Sequence, residues 1–288
     1  MESAFESDFV REIVRAALRE DLGDAGDVTT RATVPPSARA RGRIFARREC
    51  VVAGGAVAAE VFRQLDGAVA WSCVPDGTEA ATGSTVATLA GPAGAILTGE
   101  RTALNFLQRL SGIATEARRA VREVAGTKAV VLDTRKTTPT LRALEKRAVV
   151  AGGATNHRFG LFDAVLIKDN HVALAGGVRR AVEKAVAAGH PLGRIEVEVD
   201  DFDQLQEALE VGAGRILLDN FSPGQTAEAV RRVAGRARVE CSGGLRPGNL
   251  RTYAEAGADF LSLGWLTHSA PAADLSLEIV PETEGEAP

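Results

Sequence analysis

The sequence predicts a two-domain α/β protein: an irregular N-terminal α+β domain followed by an incomplete β/α barrel. Strand candidates at 129–133, 164–168, 194–199, 215–219, 237–241 and 259–263 alternate with helical stretches at 140–151, 177–189, 203–211, 225–234 and 247–256, the rhythm of a parallel sheet. Each strand also closes on, or leads directly to, residues awkward to bury: Asp133 ahead of Arg135 and Lys136, then Lys168, Glu198, Asp219, Ser242-Gly243-Gly244 and Gly264. A doubly wound sheet gathers ligand residues at one switch point, whereas every strand of a barrel delivers to a shared mouth. Six strands are fewer than the usual eight, so an open barrel of six to seven strands is expected.

Before residue 96 there is no such alternation. Phe9, Val10, Ile13, Val14, Ala17 and Leu18 form a helical stripe, and EDLGDAGDVTT at 20–30 reads as a loop. Pro35-Pro36 separates this arm from strand-like residues between Ala40 and Val52; a helix follows over 54–65, with strands over 69–74 and 85–90. From Ile96 a helical pattern through Leu97, Leu104, Phe106, Leu107, Leu110 and Ile113 leads into the regular part. The expected domains are 1–115 and 116–269. Within the second, the apolar run 129–132 ends in Asp133, Thr138-Pro139 has the form of an N-cap and first helical turn, and Gly152-Gly153 stops the helix that follows.

Composition narrows the function. The 288 residues are 45% hydrophobic and 25% charged, the balance of an ordinary globular protein. A net charge of -4 and a pI near 5.7 argue against a nucleic-acid surface. No apolar run approaches the ~18 residues of a membrane span, and the acidic start MESAFESDF does not resemble a signal peptide, so a cytoplasmic location is expected. Cys50, Cys73 and Cys241 have no C-x-x-C spacing, and the four histidines form no i, i+4 pair. These features disfavour disulfides and thiolate or histidine metal sites, leaving Mg²⁺ held by carboxylates and substrate phosphates as the expected metal.

The segment 133–171 concentrates positive charge in an acidic protein. It carries Arg135, Lys136, Arg142, Lys146, Arg147, Arg158 and Lys168, with His157 and His171, against four acidic residues. That imbalance points to an anionic ligand. Arg142, Lys146 and Arg147 read as a solvated helix face, whereas Arg135, Lys136 and Lys168 follow directly from buried strands and read as ligand groups. The glycines of Ser242-Gly243-Gly244 and Gly264 follow the last two strands, where barrels commonly bind phosphate. Glu198 and Asp219 have three roles open to them: acid and base, Mg²⁺ ligation, or acceptance of hydrogen bonds from a sugar diol. Glu196 shares the strand face of Glu198, and one of the two is free to balance Lys136 or Lys168. Lys168 alone also suits a Schiff-base aldolase, and a non-catalytic sensor of a phosphorylated metabolite fits the same composition.

The strings EDLGDAGDVTT, ERTALNFLQRLSGIAT, DTRKTTPTLRALEK, GGATNHRFGLFDAVLIKDNH, EVEVD, LLDN, SGGL and LGWLTHS, in order over residues 20–280, resemble quinolinate phosphoribosyltransferase. Departures are Thr140 where glycine is usual, Arg147 where an aromatic is frequent, and Ala154 where a third glycine is common. The resemblance implies transfer of a phosphoribosyl group from phosphoribosyl pyrophosphate to quinolinate with decarboxylation, in de novo NAD biosynthesis. It implies an N-terminal α/β sandwich joined by the C-terminal segment 270–288, an open barrel, and a homodimer in which Arg101 enters the partner's site. Arg135, Lys136, His157, Arg158 and Lys168 would line the quinolinate pocket. Glu198 and Asp219 would hold ribose hydroxyls and Mg²⁺, and Ser242, Gly243, Gly244, Gly264 and His268 would receive phosphate. Lys136, Lys168, Glu198 and Asp219 stand as the catalytic set. A related phosphoribosyltransferase with another substrate is the alternative within the same resemblance.

Overall fold

The computed structural model describes residues 4–282. The chain divides into two compact units, one running to Glu116 and including Ala143–Gly152 and the segment from Ala270, the other made of Ala117–Arg142 and Gly153–Ser269. Most of the helix Arg142–Ala151 belongs to the first unit.

In the first unit an antiparallel sheet runs in the order Leu275–Pro281, Arg39–Ala46, Thr85–Pro92, Ala70–Cys73. Arg39–Ala46 alternates outward Arg39, Arg41 and Arg43 with inward Ala40, Gly42, Ile44 and Ala46, the period of a half-buried strand. The helix Gly55–Leu65 buries Val57, Ala58, Val61 and Phe62, and Phe62 stacks on Trp71 with ring centroids 5.4 Å apart. Three elements depart from the sequence reading, the short strand Glu79–Ala80 among them. Asp27 caps a short helix, Val28–Thr33, by accepting from the Thr30 N–H at 2.9 Å, where a loop is expected. The strand Leu275–Pro281 was not foreseen, although Leu275, Leu277 and Ile279 alternate with polar neighbours.

The second unit holds a six-stranded, wholly parallel sheet in the order Val130–Leu132, Phe260–Ser262, Arg238–Ser242, Arg215–Asp219, Ile195–Val199, Val165–Ile167. From the second strand to the sixth, spatial order follows chain order, and the sixth then returns to pair with the first. That is the cyclic order of a barrel lacking one contact, between strands one and two. Thr155 partly fills this seam by bridging Leu132, with its N–H on the Val131 carbonyl at 2.9 Å. Beyond it the chain turns away: the Phe159 and Gly160 N–H groups donate to the Asp163 carboxylate at 2.6 and 2.9 Å, so backbone donors are satisfied without a ladder.

The strands bury an apolar set and a polar set on alternate faces. Ile195, Val197, Val199, Ile216, Leu218, Val239, Cys241 and Leu261 are buried beside helices such as Phe202–Glu210 and Pro223–Val233, each worth roughly 1.5–3 kcal/mol when fully buried. The other face presents Glu196 and Glu198, then Arg215, Leu217 and Asp219, then Glu240 and Ser242, then Ser262. The helix Asp169–Ala175 goes unforeseen because it buries no residue and so shows no apolar stripe.

Candidate active site

The charged residues at the strand tips meet. Lys168 forms an ion pair with Glu198. Asp219, two strands away, has its pKa raised by burial and then by neighbouring Asp200, while Lys168 and Lys136 pull it back down. The two lysines and two carboxylates of the expected catalytic set therefore share one electrostatic neighbourhood. Asn220 continues it, donating to Asp219 at 2.7 Å while its own backbone N–H reaches the Ser242 carbonyl at 2.9 Å.

Two glycines are required by close approach rather than by turn geometry alone. A Cβ on Gly264 would lie 2.8 Å from Lys136 Cδ and 3.4 Å from the His268 ring, so Gly264 lets the lysine stem lie across the start of the helix Trp265–His268. Gly243 has φ 79°, and a Cβ there would lie 2.2 Å from Asn220 Oδ1. Thr267, fully buried, donates to the Lys136 carbonyl at 2.7 Å and fixes that loop. Gly244 stands at φ 66° beside open space. Arg101 is exposed on the part of the helix Ala93–Glu123 that lies in the first unit.

Arg135 and Arg158 make a second cationic group. Arg158 has its pKa lowered by burial and then by Arg135, two like charges held near each other. Arg158 Nη1 donates to the Ala164 carbonyl at 3.0 Å, and Arg135 Nε is buried without a hydrogen-bond partner. A buried donor left open costs about 1–3 kcal/mol, which an incoming carboxylate would recover.

His157 lines a cavity with Arg158 and also turns inward. Its Nε2 faces Glu196 at 3.2 Å and Glu240 at 3.5 Å, and only 9% of its side chain is exposed. Arg215 pairs with Glu240 and lies 3.3 Å from Glu196, Ser262 donates to Glu240, and the Arg215 guanidinium covers the Phe260 ring at 4.0 Å. His157 is thus bound into an internal polar network. Burial lifts the Glu196 pKa to about 7; Glu240, despite burial, is held near 2 by His157 and Arg215. His157, against the effect of burial, is raised to about 9 by the two carboxylates. Its Nδ1, however, accepts the Arg158 backbone N–H at 2.7 Å, which requires that nitrogen unprotonated. We therefore take the ring as a neutral Nε2–H donor and place the extra proton on Glu196.

The same tautomer argues against a metal. His157, Glu196 and Glu240 have ligand atoms within 4.8 Å of one another, a metal-like grouping. Yet an Nε2-metallated imidazole carries its proton on Nδ1, where the Arg158 N–H already points, and Arg215 neutralises the carboxylates. Nucleophilic thiols are equally disfavoured, since burial raises Cys73 to about 11 and Cys241 to about 12. Lys168 is ion-paired to Glu198, whereas a Schiff-base lysine must attack as the free amine.

Sequence reasoning missed Arg142, Thr267, Asn220 and the inner set of Arg215, Glu240 and Ser262. It also read Lys146 as solvated, but that side chain is 2% exposed. His171 supports local structure by accepting the Lys168 N–H on Nδ1 at 2.9 Å.

A β/α barrel whose mouth sets cations and carboxylates beside close-packed glycines belongs to the class of enzymes built for anionic, phosphorylated substrates. The pattern of the quinolinate phosphoribosyl transferase C-terminal domain matches residues 113–278, and that of the N-terminal domain matches 27–111. The nicotinate-nucleotide pyrophosphorylase [carboxylating] of Mycobacterium leprae is 44% identical over 285 residues, covering 97% of this chain and all of that one. The nicotinate-nucleotide pyrophosphorylase from Francisella tularensis superposes with a TM-score of 0.90 at 37% identity, covering 95% of this chain and 96% of its own. NadC from Streptococcus pyogenes gives 0.91 at 38% identity, covering 98% and 99%. The chain belongs to the quinolinate phosphoribosyltransferase family. Among the described residues no helix is long and apolar enough to cross a membrane.

Proposed function

We propose that this mouth transfers the phosphoribosyl group of phosphoribosyl pyrophosphate to quinolinate and releases CO₂, giving nicotinate mononucleotide and pyrophosphate for NAD biosynthesis. The observation that carries the reading is the joint neighbourhood of Lys136, Lys168, Glu198 and Asp219, with Arg135 and Arg158 as a second cationic group. Both substrates are polyanions, and their repulsion has to be offset by preorganised cations. Arg135 and Arg158 suit the planar quinolinate carboxylates, and Lys136 and Lys168 act as point charges. His157 supports the pocket from within the network.

The pyridine nitrogen donates its lone pair to the anomeric carbon as the bond to pyrophosphate breaks and pyrophosphate leaves with that bond's electrons. Glu198 or Asp219 supplies negative charge to the oxocarbenium-like state between. The ribosylated nitrogen is cationic and accepts electron density when the adjacent C–CO₂⁻ bond breaks; the pair left on carbon then takes a proton. Transfer therefore precedes decarboxylation, and no covalent enzyme intermediate is needed. Ser242, Gly243, Gly244, Gly264 and His268 receive phosphate oxygens in this reading.

Glu198 and Asp219 also fit Mg²⁺. Asp219 is disfavoured as an anion by burial and by Asp200, a deficit of positive charge that a hard, oxygen-liking cation relieves. When bound, Mg²⁺ supplies charge neutralisation to the pyrophosphate leaving group.

A homodimer belongs to the same proposal, with Arg101 serving the partner's mouth. Leu161, Phe162 and Leu174 are 74%, 82% and 89% exposed, an apolar edge suited to cover by a second copy. The free cysteines, Cys50, Cys73 and Cys241, accord with a reducing cytoplasm. The test is to mix protein, Mg²⁺, phosphoribosyl pyrophosphate and quinolinate and measure nicotinate mononucleotide and CO₂, with nicotinate replacing quinolinate in a parallel reaction. Turnover of nicotinate but not quinolinate would reassign the substrate, and no turnover of either would leave a binding protein.

A further inference from the structure

We propose that Arg142 is a positioning residue that sets the gap between the two cationic loops of the quinolinate pocket, acting through their backbones and touching no substrate. This rests on the assignment of Arg135 and Arg158 to that pocket. Arg142 opens the helix Arg142–Ala151 and spends each of its three guanidinium nitrogens on a different backbone or hydroxyl oxygen. Nε donates to Thr137 Oγ1 at 2.9 Å, Nη1 to the Phe159 carbonyl at 3.1 Å and Nη2 to the Arg135 carbonyl at 3.3 Å. One carbonyl belongs to Arg135 itself and the other to the residue after Arg158.

The location explains why such a tie is needed. The two loops leave the sheet at its open seam, where the last cross-links are the Leu132–Thr155 bridge and the His157 N–H on the Asp133 carboxylate at 2.8 Å. Among the described residues no strand ladder joins them beyond Asp133. Arg135 and Arg158 also repel one another, so in the absence of an anion the loops would spread. Arg142 opposes this with a planar fork whose hydrogen bonds have fixed directions. Among the described residues its partners are all uncharged oxygens, so its own charge stays available to the anionic pocket rather than being cancelled.

The test uses the full chain and compares Arg142→Ala, Arg142→Lys and Thr137→Val with Arg135→Ala. We expect Arg142→Ala to raise the quinolinate KM about 10- to 100-fold, the loss of one or two charge-assisted bonds, while the KM for phosphoribosyl pyrophosphate stays within about threefold of the original. Added guanidinium ion, below concentrations that affect folding, restores part of the loss in Arg142→Ala. Arg142→Lys, which keeps the charge and loses the fork, retains most of the defect, and Thr137→Val gives a smaller one. Should Arg142→Ala fail to fold, Arg142→Lys and Thr137→Val carry the same comparison. Equal rises in both KM values, or full recovery by lysine, would overturn the positioning role. If Arg135→Ala raises the quinolinate KM and the Arg142 variants do not, this inference alone fails. An unchanged KM in Arg135→Ala removes the pocket assignment and the inference together.

Discussion

One set of strands carries charge at two levels, and the levels are completed differently. Inside the barrel, Glu240 is fully buried and meets Arg215, Ser262 and His157, while Glu196 faces His157 and Arg215. Nearer the strand tips, Lys168 keeps 43% of its side chain exposed beside one carboxylate, Lys136 is exposed, and Arg135 holds a buried N–H open. Charges meeting several opposite charges specify the structure, although Glu196 Oε1 and Arg215 Nε lack a hydrogen bond there too; the more open charges are the ones a ligand can reach. Residue type does not distinguish the two, since both levels use Arg, Glu and a strand face of period two.

The sharpest test of this contrast is Arg135→Ala. Losing one side of a desolvated ion pair costs 2–5 kcal/mol, so quinolinate affinity should fall roughly 10²–10³-fold in calorimetric titration. Stability to urea should stay level or rise, because Arg158 loses a repulsive neighbour. A stability loss of the same size as the affinity loss would put Arg135 with the internal network instead.

Glu240→Ala should give the opposite pattern. Arg215 and His157 would lose their shared anion, and breaking a buried pair costs about 3–5 kcal/mol of folding free energy, readable as a lower urea midpoint. Glu240→Gln should cost less, since it keeps hydrogen-bond acceptance.

The proton held by Glu196 should make stability depend on pH. Its folded pKa is raised to about 7 from 4.5. The folded state then holds the proton where the unfolded chain has released it, so the stabilisation is full below 4.5 and lost as pH rises through about 7, on the order of 3 kcal/mol. Glu240, lowered from 4.5 to about 2, adds the reverse limb: its contribution is present above 4.5 and lost as pH falls toward 2. Denaturation midpoints across this range should show a flatter limb above pH 4.5 in Glu196→Gln; an unchanged slope would remove the proton from Glu196.

Thr140→Gly should produce the smallest change. Thr140 has φ 69°, a left-handed conformation that costs a β-branched residue about 1–2 kcal/mol, partly offset by glycine's greater unfolded-state freedom. A gain of about 0.5–1 kcal/mol is expected, and a loss would mean that the hydroxyl contributes a bond worth more than the strain.

The six strands were legible because each is a short apolar or alternating run, and the observed spans depart from the expected ones by a residue or so at either end. The cyclic order could be anticipated from the polar strand tips. The division of labour along a strand could not: Glu196 and Glu198 look alike in sequence, and only their neighbours assign one to His157 and Arg215 and the other to Lys168. Period-two spacing of Arg215 and Asp219, or Glu240 and Ser242, was available as a signal for an inner polar row. Arg142 left no comparable trace, because two of its three acceptors are main-chain carbonyls, which every residue type possesses. Thr140 is different: its departure from glycine is visible in the sequence, and its positive φ supplies the physical reason.

The unfinished ring has an evolutionary corollary. At the gap between the first and second strands, residues 156–164 carry His157 and Arg158 without belonging to a ladder, so their length and composition can change without shifting the register of any neighbouring strand. A closed ring would have coupled every such change to the whole sheet. Here the segment that carries Arg158 is also free of any ladder from residue 159 to 164, which makes that stretch a natural place for substrate preference to diverge.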